Sequence, residues 1–137
     1  MRASAVIQQI FNYLKSNSLI TPLGAEVSVC DLKEGDSLSK PLIVVLPIRD
    51  PIAGEFVTQE RESLEIGISC YSPEFYAIAS AGQLDERVHT VMRQWEPCPT
   101  NFHLVRRFYT RWVKPISAFQ SQQIYSFHFR NIEDIKL

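Results

Sequence analysis

The stretch Ser63-Leu64-Glu65-Ile66-Gly67-Ile68-Ser69-Cys70-Tyr71-Ser72-Pro73-Glu74 decides how this chain is read. Leu64, Ile66, Ile68 and Cys70 alternate with smaller or polar residues, the period of a strand with one face buried. Ser72-Pro73-Glu74 then carries helix-start chemistry: a hydroxyl that can cap, a proline suited to the first turn, and an acid at the positive end of the dipole. The spacing predicts a helix from there to Trp95, with Phe75, Ile78, Ala81, Leu84, Val88, Val91 and Trp95 along one side and Pro97 and Pro99 beyond its end.

Working outward, Val6, Ile7, Ile10, Phe11 and Leu14 predict a first amphipathic helix from Ser4 to Lys15. Ala25 to Asp31 alternates as a half-buried strand, and Leu42-Ile43-Val44-Val45-Leu46 is an unbroken apolar run that predicts a strand covered on both faces. Pro47, Pro51 and Gly54 interrupt the strand pattern, so Arg49 to Glu62 reads as a long polar loop. Two aromatic-rich strands, Phe102 to Val113 and Gln123 to Glu133, close the chain across a loop from Lys114 to Gln122. The expected fold is α+β: a mixed or mainly antiparallel sheet of about 4–5 strands with two α-helices packed on one face, forming a single domain over residues 1–137.

Pairing the apolar sets of the last two strands, Phe102, Leu104, Phe108 and Trp112 against Tyr125, Phe127 and Phe129, sets His128 near Arg107. That register leaves His103, Arg107, Arg111, His128 and Arg130 as a basic stripe on the reverse face. Arg106 then intrudes on the apolar face, which a bulge, a buried ion pair or a contact between subunits must explain.

Composition narrows the function classes. The hydrophobic fraction of 45% and charged fraction of 21% describe a folded chain, without the long apolar run of a membrane span. The N-terminal residues lack the apolar core of a signal peptide, and Cys30, Cys70 and Cys98 are odd in number and widely spaced, which predicts reduced thiols in the cytoplasm. A net charge of −1 predicts no generic attraction to nucleic acid or anionic membrane. The charges are nonetheless segregated. Ala25 to Glu62 holds eight acids and four bases, a balance of −4, whereas Phe102 to Leu137 holds six bases and two acids, a balance of +4.

No catalytic, cofactor-binding or metal-ligating constellation emerges. Neither a G-x-S-x-G elbow nor a phosphate-cradling glycine loop is present, and Cys70 reads as a small core residue. The expected register separates His103 from the position opposite His128 by about 13 Å of strand, too far for one ion. Arg106, Arg107 and Arg111 interleave with Phe108, Tyr109 and Trp112. This pattern suits either a stacking platform for single-stranded nucleic acid or, more simply, a twisted strand with one packed and one solvated face.

The order helix, strand, strand, long polar loop, strand, long helix, strand, strand resembles the tail terminator family of long-tailed bacteriophages, also called tail completion or minor tail proteins. Three stretches carry the resemblance: Val6 to Leu14; Ser63 to Ser72 running into the helix that ends at Met92-Arg93-Gln94-Trp95; and Gln123-Ile124-Tyr125-Ser126-Phe127-His128-Phe129-Arg130. Lys114-Pro115-Ile116-Ser117-Ala118-Phe119 departs from the glycine- and acid-richer final hairpin of the family.

The resemblance implies a non-enzymatic virion protein of the tail or neck, made in the host cytoplasm and needing no cofactor. It would form a homo-oligomeric ring, usually a hexamer, that caps the tail tube protein, stops tube polymerisation and meets the head-tail connector protein. DNA would pass through the ring without sequence-specific binding, and no membrane would be involved. Subunit or partner contacts would fall to Arg49, Asp50, Glu60, Arg61, Glu62, Arg106, Arg107, Arg111 and Arg130. Another neck, connector or baseplate adaptor protein, or a nucleic-acid-binding domain, is the alternative.

Overall fold

The computed structural model describes residues 3–49, 62–73, 78–95 and 101–129. Helix α1 spans Ala3–Ser16 and α2 spans Ile78–Arg93. The strands are β1 (Glu26–Ser28), β2 (Leu42–Arg49), β3 (Glu62–Pro73), β4 (Asn101–Val113) and β5 (Ala118–Phe129). They form one five-stranded mixed sheet in the order β1-β2-β3-β5-β4. Only β1 and β2 run parallel; the other pairs are antiparallel. The α+β architecture is the one the sequence predicts.

Both helices pack on the same face. Val6, Ile7, Ile10 and Leu14 of α1 and Leu84, Val88, Val91 and Met92 of α2 meet Ile43, Val45, Ile66, Ile68, Cys70 and Tyr125 of the sheet. Each such aliphatic side chain taken from water contributes about 1.5–3 kcal/mol, so this face holds the main core. The hydroxyl of Tyr13 donates to the carbonyl of Val91 at 2.8 Å, tying the two helices together. On the opposite face a smaller cluster gathers Leu42, Val44, Tyr71, Ile116 and Ala118. The connection from β1 to β2 lies over it, with Leu32 and Leu38 packed on the cluster and the amide of Gly35 donating to the carbonyl of Pro115 at 3.2 Å. A parallel pair needs such a long crossover, and here the chain supplies it without a helix.

Several boundaries differ from the sequence reading. Strand β3 continues to Pro73, in register with Ala118, so Ser72 and Pro73 are strand residues rather than a helix cap. Cross-strand hydrogen bonding to β5 outweighs their local preference, and Phe75 lies outside the described residues. Strand β2 continues through Pro47 to Arg49, with an irregularity in its pairing between those two residues that accommodates the proline. The β4–β5 connection is a short 3-10 turn, Lys114–Ile116, closed by Ser117 at a left-handed φ of 47°. It is far tighter than the loop expected from Lys114 to Gln122, so β5 begins at Ala118 and the hairpin register shifts with it.

Candidate functional site

The register places Phe102 opposite Phe127, Arg107 opposite Gln123 and Trp112 opposite Phe119. It slips between Leu104 and Arg106 and again between Phe108 and Arg111, each slip marking an extra residue in β4. A one-residue bulge exchanges the faces of everything beyond it. Leu104 therefore packs against the helix-side core, and Arg107 joins it there in place of a second apolar residue. Arg106, whose expected place on the apolar face calls for a bulge, a buried ion pair or a subunit contact, is exposed beside the first bulge.

Under α2, Arg107 enters a polar cluster whose centre is Asp85. The Asp85 side chain is 3% exposed and that of Arg107 14%. The guanidinium donates to Asp85 Oδ2 from Nε at 3.0 Å and from Nη2 at 2.7 Å, and to Glu86 Oε1 at 2.6 Å. Gln123 Nε2 donates to both the carbonyl and Oδ1 of Asp85, at 2.7 and 2.8 Å, and the Tyr125 hydroxyl donates to Gln123 Oε1. Both carboxylate oxygens of Asp85 are thus engaged, as a buried acid requires.

The electrostatics follow from this enclosure. Burial pulls the Arg107 guanidinium down, yet hydrogen bonds and charge from Asp85 and Glu86 outweigh it and hold the group above its ordinary value. Burial, then the Asp85 charge, pushes the Tyr125 phenol well up. The same two causes raise the Cys70 thiol, which therefore stays protonated and poorly nucleophilic. The cluster ties the outermost strand to the helix layer; its groups are locked rather than poised for proton transfer.

The exposed side of β4 has the opposite character. This strand is a sheet edge, and among the described residues nothing pairs with its free side. Along the strand Val105, Phe108, Tyr109 and Trp112 are 42%, 46%, 69% and 41% exposed, Phe108 on the face away from the helices and Trp112, opposite Phe119, on the helix side. The two bulges and the exposed arginines blunt this edge against strand addition, so it is the exposed apolar side chains that mark it as an interaction surface. Tyr109 is braced from behind by the Arg107 guanidinium, 5.2 Å from its ring centroid, and Trp112 packs edge-on against Phe119 at 5.0 Å. Phe108, Tyr109, Arg111, Gln120 and Gln122 enclose a cleft of about 230 Å³. On the other side of Tyr109, a shallower hollow of about 580 Å³ runs along α2 past Gly82, Glu86 and Thr110.

The floor beside the smaller cleft is a polar ladder. Gln122 Nε2 donates to Ser69 Oγ at 3.2 Å, Gln120 Nε2 donates to the Tyr71 hydroxyl at 3.2 Å, and that hydroxyl donates to Asp31 Oδ1 at 2.8 Å. Burial first, and then the bond to Asp31, raises the Tyr71 phenol, which keeps it a donor.

Of the expected contact residues, the structure brings Arg106 and Arg111 to the exposed side of β4. It removes Arg107 from them, so the predicted basic stripe is split: the bulge turns Arg107 inward, where Asp85 and Glu86 neutralise it. Arg49 and Glu62, expected in a loop, belong to β2 and β3. Asp50, Glu60, Arg61 and Arg130 lie outside the described residues. His128 stands opposite Asn101 rather than near Arg107, two positions from the partner of His103, while Cys70 belongs to the helix-side core. The 13 Å separation of the histidine positions is therefore corrected by the register; Cys70 is on the far side of the sheet from His103, whose partner Ser126 alternates with inward-facing Tyr125.

Asp85 and Gln123 escaped the sequence reading. The one available signal was spacing, since Asp85 falls in the apolar stripe of α2, four residues after Ala81 and three before Val88. No protein-family model matches the chain, and no curated protein matches it.

Proposed function

We propose that this chain is a structural virion protein, a tail terminator that assembles into a ring, caps the tail tube, stops its polymerisation and joins it to the head connector. The observation that carries the reading is the free edge of β4, 13 residues long and lined by Val105, Phe108, Tyr109 and Trp112 with Arg106 and Arg111 among them. Aromatic residues and arginine are the types that dominate binding energy at protein interfaces. The resemblance in element order supplies the identity of the assembly, with the ring as homo-hexamer, the tube protein and the connector as partners, and the virion neck as location. Another neck, connector or baseplate adaptor component would use the same surface.

The test is to add the purified chain to tail-tube protein during tube polymerisation and to measure tube length and tube ends by electron microscopy. Shortened tubes capped by a ring of this chain are expected. Unchanged tube growth with the chain left in solution overturns the terminator role. A second reading has one observation in its favour: Arg106 and Arg111 flank Phe108 and Tyr109, a spacing that could stack and neutralise a single nucleic-acid strand. Binding of single-stranded DNA that weakens steeply with salt would favour that reading instead.

A further inference from the structure

We infer that the free edge of β4 receives a second copy of this chain, head to tail, with the acidic turn Lys33–Asp36 of one copy entering the cleft beside Tyr109 of the next. This rests on the assembly reading above and names the surfaces that meet.

The cleft suits a side chain better than a cofactor. At about 230 Å³ it is smaller than the ~300–1,000 Å³ of small-molecule sites. Its walls are Phe108 and Tyr109 and its cation is the Arg111 guanidinium, while the amide nitrogens of Gln120 and Gln122 already donate to Tyr71 and Ser69 and fix the floor. That lining accepts a carboxylate carried on a short aliphatic stem. Tyr109 is also held before any partner arrives: Asp85 and Glu86 fix Arg107, and Arg107 lies over the Tyr109 ring. A restrained aromatic loses little freedom on binding, which is the property of an interface anchor. The two bulges in β4 break the even spacing of its outward backbone groups, so contact by side chains suits this edge better than addition of a strand.

Charge selects the occupant. Arg107 has two carboxylates, whereas Arg106 and Arg111 are exposed and form no ion pair among the described residues. Another copy offers the complementary surface, because Glu34 and Asp36 stand exposed in its connection from β1 to β2. Within that surface the turn at Lys33–Asp36 is already shaped. The amide of Asp36 donates to the Lys33 carbonyl at 2.9 Å, the amide of Lys33 donates to Asp36 Oδ2 at 2.7 Å, and Gly35, at φ 90°, bonds to Pro115. Glu34 projects from it, exposed and without an ion-pair partner among the described residues.

The turn is anchored at Pro115, just past the end of β4, while the cleft lies on the order of 15 Å back along that strand. Two different patches on one molecule make a heterologous contact, which closes into a ring when the rotation permits.

The experiment is sedimentation and native mass spectrometry over a concentration series for the wild type, Glu34→Lys, Arg111→Glu and an equimolar mixture of the two variants, with circular dichroism to confirm folding. Each variant alone should self-associate at least tenfold more weakly than wild type. The mixture should recover wild-type association, because each variant then offers the other the opposite charge at both contacts. Tyr109→Ala should also weaken association at least tenfold. If the wild type assembles and these variants assemble equally well, or the mixture shows no recovery, this pairing is wrong while the ring reading stands. If the wild type stays monomeric both alone and on tail tubes, the assembly reading fails and the inference falls with it.

Discussion

Arg106 and Arg107 are neighbours in the chain and opposites in the fold. Arg107 is 14% exposed, sits under α2 and is held by two carboxylates; Arg106 is exposed on the free edge with no ion pair among the described residues. The residue type is the same, so position along a bulged strand separates a structural tie from a candidate contact. On the inner side, charge is enclosed and satisfied, and its loss is felt by the fold. On the outer side, charge and aromatic surface are left open, and their loss is felt by whatever binds.

The sharpest way to break this comparison is Asp85→Ala, which removes the buried carboxylate shared by Arg107 and Gln123 and leaves them only the exposed Glu86 and the main-chain carbonyl of residue 85. Removing one partner of a buried pair costs about 3–5 kcal/mol, and urea unfolding at neutral pH should show a loss of that size. Replacing Asp85 and Arg107 together by Leu and Met should cost much less, because no charge is left unpaired. A loss below about 1 kcal/mol for Asp85→Ala would mean that the cluster does not hold β4 to the helix layer.

On the outer side, Arg106→Ala and Phe108→Ser should each change unfolding free energy by no more than about 0.5 kcal/mol, as exposed substitutions do. Phe108→Ser should nevertheless weaken self-association in sedimentation. A large stability loss for either would show that the outer surface is already covered within the monomer.

The smallest expected effect concerns pH. His89, on α2 beside the cluster, is held below its ordinary value of 6.5 by burial first, then by the charges of Arg107 and Arg93. Because the folded state takes up this proton less readily than the unfolded state, stability should fall as pH drops below 6.5. Thermal melts between pH 7 and pH 5 should show a shallower decline for His89→Gln than for wild type. Identical slopes would remove His89 as the cause.

Much of the scaffold was legible. The apolar spacing of Val6 to Leu14 and of Leu84 to Val91 located both helices and the faces they bury, and the run Ile43 to Val45 located a strand that is fully covered on both sides. Alternation in Ile66, Ile68 and Cys70 located the inner face of β3. The position of Arg106 marked a conflict in β4 that a bulge, a buried ion pair or a subunit contact could resolve, and the strand carries a bulge there. The candidate site was less legible, because its parts come from separate elements: Asp85 from α2, Arg107 from β4, and Gln123 from β5.

What the sequence by itself determined, then, was the set of elements, the α+β class and the buried face of each regular element, since periodicity reports how a helix or strand meets an apolar layer. Only the tertiary structure decided the β4–β5 register, the conversion of Ser72 and Pro73 into strand, and the division of the arginines between core and edge. The physical reason lies in the two bulges and the tight turn at Ser117: a period-two pattern assigns faces only along an unbroken ladder, and one extra residue inverts every assignment beyond it.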